Sequence, residues 1–207
     1  MSRGSLYHLK KLHRVFLPLL ILNVFTVACQ TLQAQEVDEQ AGNIRLKEVG
    51  FFSGWGKGPL NKEDEDYEIL PLTLRFGFDI TRAFRKTATS DFVGFLVEPF
   101  INPVLSPDSN VEVGCSLLLK YARSLGDRFS PYIEGGTGVI YTSQDLEQQS
   151  TNWNFLLQGG CGLYYFVREN TSLNVGYRFR HFSNAGVERP NGGIDAHCVL
   201  IGFSFFY

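Results

Sequence analysis

The sequence predicts an all-β fold, an eight-stranded antiparallel up-and-down barrel that crosses a membrane, and three observations carry that expectation. Segment after segment alternates apolar and polar residues with a period of two. Charged residues recur on the face opposite the apolar one. The chain ends on the alternating stretch Val199 to Tyr207, which closes on an aromatic residue as the last strand of outer-membrane barrels does. Composition agrees: 21 Gly, 18 Phe, 9 Tyr and a single Met among 207 residues suit strands and turns better than packed helices. The formal net charge of -2 carries no basic footprint for nucleic acid.

The N-terminal stretch stands apart from the fold. Arg3, Lys10, Lys11 and Arg14 form a positive region ahead of the apolar run Val15 to Cys29, which is too short for a confident membrane-spanning helix. Thr26 and Ala28, or Ala34, offer cleavage points. Residues 1–34 are therefore read as a signal peptide cut somewhere between 28 and 34, and residues 35–207 as the barrel. A retained anchor is the alternative. Cys29 after Ala28 raises a lipoprotein reading, against which Thr26 stands where such signals usually carry Leu.

Eight strands follow in order: Leu46 to Trp55, Glu68 to Ile80, Phe92 to Ile101, Val111 to Ala122, Tyr132 to Tyr141, Asn154 to Phe166, Ser172 to Ser183 and Ile194 to Tyr207. In the second, Leu70, Leu72, Leu74, Phe76, Phe78 and Ile80 oppose Thr73, Arg75, Gly77 and Asp79. The faces carrying Glu48, Arg75, Asp79, Glu98, Glu112, Lys120, Glu134, Arg178 and Arg180 cannot lie against hydrocarbon cheaply, so they point inward. With so few strands, those side chains fill the interior and leave no wide pore. Short turns near Leu125-Gly126-Asp127 and Arg168-Glu169-Asn170 belong at the periplasmic end, as does a longer one from Thr81 to Ser90. Loops at Gly56 to Tyr67, Asn102 to Asn110, Thr142 to Trp153 and Asn184 to Gly193 belong outside. Cys115, Cys161 and Cys198 are odd in number and form no C-x-x-C pair, which argues against a disulfide framework or a zinc site and for small apolar fillers.

Chemistry concentrates in the last two strands. Alternation puts Leu173, Val175, Tyr177, Phe179, His181 and Ser183 on one face, with Asn174, Gly176, Arg178 and Arg180 on the other. The arginines belong inside, so His181 and Ser183 face outward near the extracellular end. Counting back from Tyr207 by twos puts Asp195 and His197 on the outward face of the last strand. A hydroxyl, an imidazole and a carboxylate are the parts of a nucleophile, a base and an orienting acid. Ser183, His181 and Asp195 take those roles, with His197 as a rival base and Glu188 as a rival acid. Backbone amides of Asn184, Ala185 and Gly186, or the side-chain amides of Asn184 and Asn191, are the candidates for holding an oxyanion. The bland readings are a rim histidine, ordinary turn residues and an acid that merely begins a strand.

The run His181-Phe182-Ser183-Asn184-Ala185-Gly186, followed by Pro190-Asn191 and Gly193-Ile194-Asp195, resembles the signature of the outer-membrane lipid A 3-O-deacylases of the PagL type. The resemblance implies an eight-stranded barrel with an exterior triad of His, Ser and Glu that cleaves the ester-linked acyl chain at position 3 of lipid A. It matches His181 to the base, Ser183 to the nucleophile and Asn184 to a neighbour of the site. Asp195 stands where the family usually has Glu, so its orienting role requires the backbone to sit slightly closer. Lipopolysaccharide in the outer membrane is the implied partner, with the site toward the outer leaflet; no cofactor or metal is required, and a homodimer is left open. The competing classes are a non-catalytic barrel with a structural or adhesion role and an acyl hydrolase acting on another lipid ester. The acidic run Glu63 to Asp66 reads as a solvated loop, with divalent-cation binding as its alternative.

Overall fold

The computed structural model describes residues 45–60, 65–81, 91–144 and 147–207. The expected signal peptide, Glu63 and Asp64 of the acidic run, and most of the Thr81 to Ser90 turn lie outside those residues. The described residues contain nine strands: β1 (Arg45–Gly58), β2 (Tyr67–Ile69), β3 (Leu72–Asp79), β4 (Asp91–Ser106), β5 (Asn110–Arg123), β6 (Phe129–Thr142), β7 (Trp153–Arg168), β8 (Thr171–Ser183) and β9 (Ile194–Phe206). Each pairs antiparallel with its neighbours, and β1 pairs with β9 from Glu48↔Phe206 to Lys57↔His197, which closes the sheet. Closure removes the free edges that an open sheet would present to lipid.

The barrel still has eight staves. β2 and β3 are one expected strand, Glu68 to Ile80, interrupted at Leu70 and Pro71; both pieces pair with β1 and with β4. A proline has no N–H to give the ladder, so the break falls where the pairing can spare a donor. Most strands run one to five residues past their expected bounds, and the largest change is between β4 and β5. β4 continues to Ser106 and β5 begins at Asn110, so the expected loop Asn102 to Asn110 shrinks to a turn at 107–109. The Pro103 carbonyl accepts from Leu70 N–H at 2.9 Å, and the ladder runs on past it.

Burial follows the alternation. Leu119, Ile133, Leu157, Val175, Ile201 and Phe203 are exposed on the outer wall, while the charged residues on the alternate positions are buried. A 14-residue strand such as β5, rising about 3.3 Å per residue and tilted about 40°, spans roughly 35 Å along the barrel axis, more than the apolar band of an outer membrane. Apolar outside and charged inside is the arrangement hydrocarbon selects.

The interior holds four buried acids, Glu48, Glu98, Glu112 and Glu134, and four buried bases, Arg75, Lys120, Arg178 and Arg180. Arg75 bonds Glu98 and Glu134, each at 2.7 Å, and Arg178 bonds Glu98 at 2.7 Å as well as Glu134. Lys120 pairs with Glu48, and Arg180 reaches Glu112 at 2.9 Å. Among the described residues the buried charges balance in number, and tight pairing is what makes burying so many ions tolerable. Apolar side chains cap the network toward each end, with Phe182, Ile194, Tyr67 and Ile69 in the cluster below the extracellular rim. Asp79 instead sits half-buried at the periplasmic end, where it accepts Thr81 N–H at 2.8 Å. Cys115, Cys161 and Cys198 are free thiols.

Candidate active site

The inside of the barrel decides what faces out. Arg178, Arg180 and Phe182 of β8 are buried, so His181 and Ser183 emerge on the outer wall between and beyond them. A slip of one residue would turn both arginines into hydrocarbon, at about 2–4 kcal/mol each near the bilayer midplane, and strand their carboxylates inside. On β9 the same logic applies to Ile194, Ala196 and Cys198, all buried, which leaves Asp195 and His197 outward.

Register then brings acid and base together. His181 and Asp195 are direct cross-strand partners, and His181 Nδ1 lies 2.6 Å from Asp195 Oδ1. The shorter carboxylate therefore reaches the imidazole. Both side chains remain open, with exposures of 39% for His181 and 51% for Asp195. Ser183 lies one outward position further along β8, opposite Phe155 of β7, and its hydroxyl makes no hydrogen bond among the described residues. With Nδ1 engaged by the acid, Nε2 is the ring nitrogen left for another partner. Nucleophile-to-base contacts are often loose before substrate arrives.

His197, the rival base, is engaged elsewhere. Its Nδ1 lies 2.5 Å from Tyr177 Oη, its ring stacks on Tyr177, and Phe179 lies 5.3 Å away. Glu188, the rival acid, contributes its backbone carbonyl to Asn184 Nδ2 at 2.9 Å. Neither makes a hydrogen bond to His181 or Ser183 among the described residues.

The turn after Ser183 is built by the side chain of Asn184, which is 2% exposed. Its Oδ1 accepts Gly186 N–H at 2.9 Å, and its Nδ2 donates to Glu188 O and to Ser150 Oγ. Asn191 Oδ1 accepts Asn184 N–H at 3.0 Å. Ala185 and Gly186 take φ of 56° and 80°, and Val187 N–H closes the turn on Asn184 O at 3.1 Å. Of the expected oxyanion donors, the amides of Asn184 and Gly186 are thus spent inside the turn. Ala185 N–H and Asn191 Nδ2 keep no partner among the described residues.

One contact was invisible in the sequence. Gly193 (φ 67°) lies against the His181 ring so closely that a Cβ there would sit 2.7 Å from Cε1. Only a glycine meets both demands. The doublet Gly192-Gly193 just before a strand is the signal that would have raised the question.

The wall below the site also has a distinct surface. Gly135 of β6 and Gly159 of β7 are partners on the outward face, with the nearest atom to a Cβ on either at 3.4 Å and 3.9 Å, so nothing crowds them. Leu157, Phe179 and Ile133 flank this shallow trough, which begins one register row below His181. Trp153 and Tyr141, 5.3 Å apart, stand at the rim beyond Phe155. Aromatic residues of that kind collect at headgroup level, which sets the depth of Ser183.

A family model described as Lipid A 3-O-deacylase (PagL) matches residues 68–204, which includes β8, β9 and the loop between them. The chain belongs to the PagL family of lipid A 3-O-deacylases. Among its relatives are the lipid A deacylase PagL of Bordetella bronchiseptica, 35% identical over 81 residues, and that of Pseudomonas aeruginosa, 34% identical over 78 residues. The matched stretches make up 39% and 36% of this chain, and in each case span only 43% of the relative's length. The crystal structure of the outer membrane enzyme PagL superposes with a TM-score of 0.56 at 20% identity, over 75% of this chain and 97% of that one. Neisserial surface protein A superposes equally well, with a TM-score of 0.56 at 13% identity over 77% of this chain and 96% of its own. These two likenesses fix the barrel, and a shared barrel does not by itself separate PagL chemistry from that of any other small barrel.

Proposed function

We propose that the chain is an outer-membrane esterase that hydrolyses the 3-O-linked acyl chain of lipid A, with Ser183 as nucleophile, His181 as general base and Asp195 as orienting acid. One observation carries the reading: a histidine–carboxylate pair at 2.6 Å, set on the outer wall at the aromatic belt, one outward position from an uncommitted serine. Polar groups on a lipid-facing wall are costly, and the lumen already shelters the buried ion pairs that hold the strands together.

In the proposed cycle Ser183 Oγ attacks the ester carbonyl carbon while its proton passes to His181 Nε2. Asp195 holds the ring through Nδ1–H and stabilises the imidazolium that forms. Ala185 N–H, with the Asn191 amide, faces the oxyanion of the tetrahedral intermediate. That intermediate collapses as His181 returns its proton to the departing sugar oxygen, leaving the fatty acyl group on Ser183. Water, deprotonated by His181, then attacks the acyl-enzyme and releases the fatty acid. The acyl chain lies along the wall in the trough at Gly135 and Gly159, so it never leaves the hydrocarbon phase.

The test is expression in cells with a defined lipid A, followed by mass spectrometry of the lipid and of the released fatty acid. The expected result is loss of one 3-hydroxyl-linked acyl chain with the wild type and an unchanged lipid with Ser183→Ala, a drop of about 10⁴-fold or more in rate. An unchanged acyl count with folded wild-type protein points to a structural or adhesion barrel instead. Release of a different chain moves the substrate to another ester.

A further inference from the structure

The β6–β7 loop and the β8–β9 loop lie against each other at the extracellular rim. Gln149 and Asn191 form a bridge, Ser150 N–H donates to Pro190 O at 3.0 Å, and Gly192 N–H donates to Gln148 O at 2.7 Å. Gln148 adds its side chain: Nε2 donates to Gly193 O at 3.0 Å, and the residue is only 1% exposed. One buried residue thus holds two successive residues, Gly192 through its carbonyl and Gly193 through its amide.

Those two residues are where the loop becomes β9. Gly193 packs on the edge of the His181 ring, with Cε1 and Nε2 lying 2.7 Å and 3.3 Å from where its Cβ would be. Two residues later comes Asp195, the partner of His181 Nδ1. An imidazole that is 39% exposed on an outer wall has few other neighbours to stop its rotation. We propose that Gln148 is a positioning residue for the His181–Asp195 pair, setting both the surface on which the ring rests and the start of the strand that carries its acid. The inference rests on the reading of His181 as the base. Gln148 touches no reacting atom.

A misplacement of about 1 Å at a catalytic group costs on the order of 100-fold in rate. In full-length protein folded in detergent micelles, Gln148→Ala should therefore lower kcat for lipid A ester about 10- to 100-fold while KM stays within about twofold. Reaction of Ser183 with a fluorophosphonate probe should slow by the same factor. The downfield proton signal of the His181–Asp195 hydrogen bond should broaden or vanish, with His197 as the internal control. Gln148→Glu supplies a second readout. Protonated, its carboxyl donates to Gly193 O as the amide does; ionised, it repels that carbonyl. The ratio of variant to wild-type kcat should then fall as pH rises through the introduced carboxyl's titration.

Folded Gln148→Ala with unchanged kcat and an intact downfield signal overturns the proposal, as does a Gln148→Glu ratio that is flat with pH. If the alanine variant does not fold, judged by heat-modifiable mobility on gels, the glutamate ratio decides alone. Failure of the functional reading looks different: wild-type protein would then neither hydrolyse lipid A nor react with the probe, while the His181 signal would still report whether Gln148 holds the ring.

Discussion

The ion pairs packed into the lumen and the His181–Asp195 pair on the outer wall are built on opposite terms. In the lumen most charges meet more than one partner: Arg75, fully buried, bonds Glu98, Glu134 and the Tyr164 hydroxyl at once, while Arg180 bonds Glu112 alone. On the wall His181 has one partner, Asp195, and both are partly open. The lumen set is buried and paired within itself, so it presents no group to a visitor on the outer wall. The sparse set keeps an imidazole nitrogen and a neighbouring hydroxyl available. On the proposed function, folding and chemistry are divided between the two faces of the same strands, since β8 alone supplies Arg178 and Arg180 inward and His181 and Ser183 outward.

If that division holds, each set fails in its own way when broken. The largest effect belongs to the wall: Asp195→Asn keeps the shape but favours the wrong imidazole tautomer, and it should cost up to about 10⁴-fold in kcat with little change in stability. Steady-state kinetics and denaturant unfolding on the same preparation measure both. A variant that unfolds early would place Asp195 among the structural ions.

The lumen should give the reverse. Arg75→Met leaves Glu98 and Glu134 short of a partner in a buried site, at a cost of about 3–5 kcal/mol in stability. Under conditions where the barrel remains folded, kcat should stay near wild type. Urea unfolding in micelles, followed by tryptophan fluorescence and by activity, separates the two quantities; activity lost ahead of the fold would mean that the lumen network also sets the site.

Much of this division was legible in the sequence because period two forces it. The arginines at 178 and 180 had to be inside, so the histidine and serine between and beyond them had to be outside. Asp195 followed from counting back along β9. The pairing of His181 with Asp195 needed the register, and the length of the loop at 184–193 does not reveal it. That loop is folded by the Asn184 side chain and pinned to residues 148–150, contacts that join segments 34 to 45 positions apart. The same distance in sequence hid Gln148. The expected loop from Asn102 was too long because β4 runs on through Pro103, whose carbonyl still serves the ladder.

A moderate effect is expected in the trough. Gly159→Leu sets a side chain into open surface beside Leu157 and Phe179, and no atom stands in its way. Loss of roughly 1–2 kcal/mol of chain packing would raise KM about 5- to 30-fold, more for long acyl chains than for short ones. Comparing KM across substrates of graded chain length checks this, and an equal effect on all lengths would place the chain elsewhere on the wall.

The smallest effect should come from the other outward histidine. His197 sits one outward position from Asp195 on the same strand, yet Asp195 turns to His181 across the ladder, and His197 turns to Tyr177. Its ring is held by stacking on Tyr177 and by Phe179, so its surroundings are those of a side chain anchoring an aromatic patch at the membrane boundary. Replacing it removes no partner of His181, Ser183 or Asp195. His197→Ala should therefore change kcat by no more than about twofold, the effect of a typical surface substitution of about 0.5 kcal/mol. The measurement that matters is the same variant beside His181→Ala: if both fall by orders of magnitude, the two histidines share the proton, and the wall carries a relay rather than a single base.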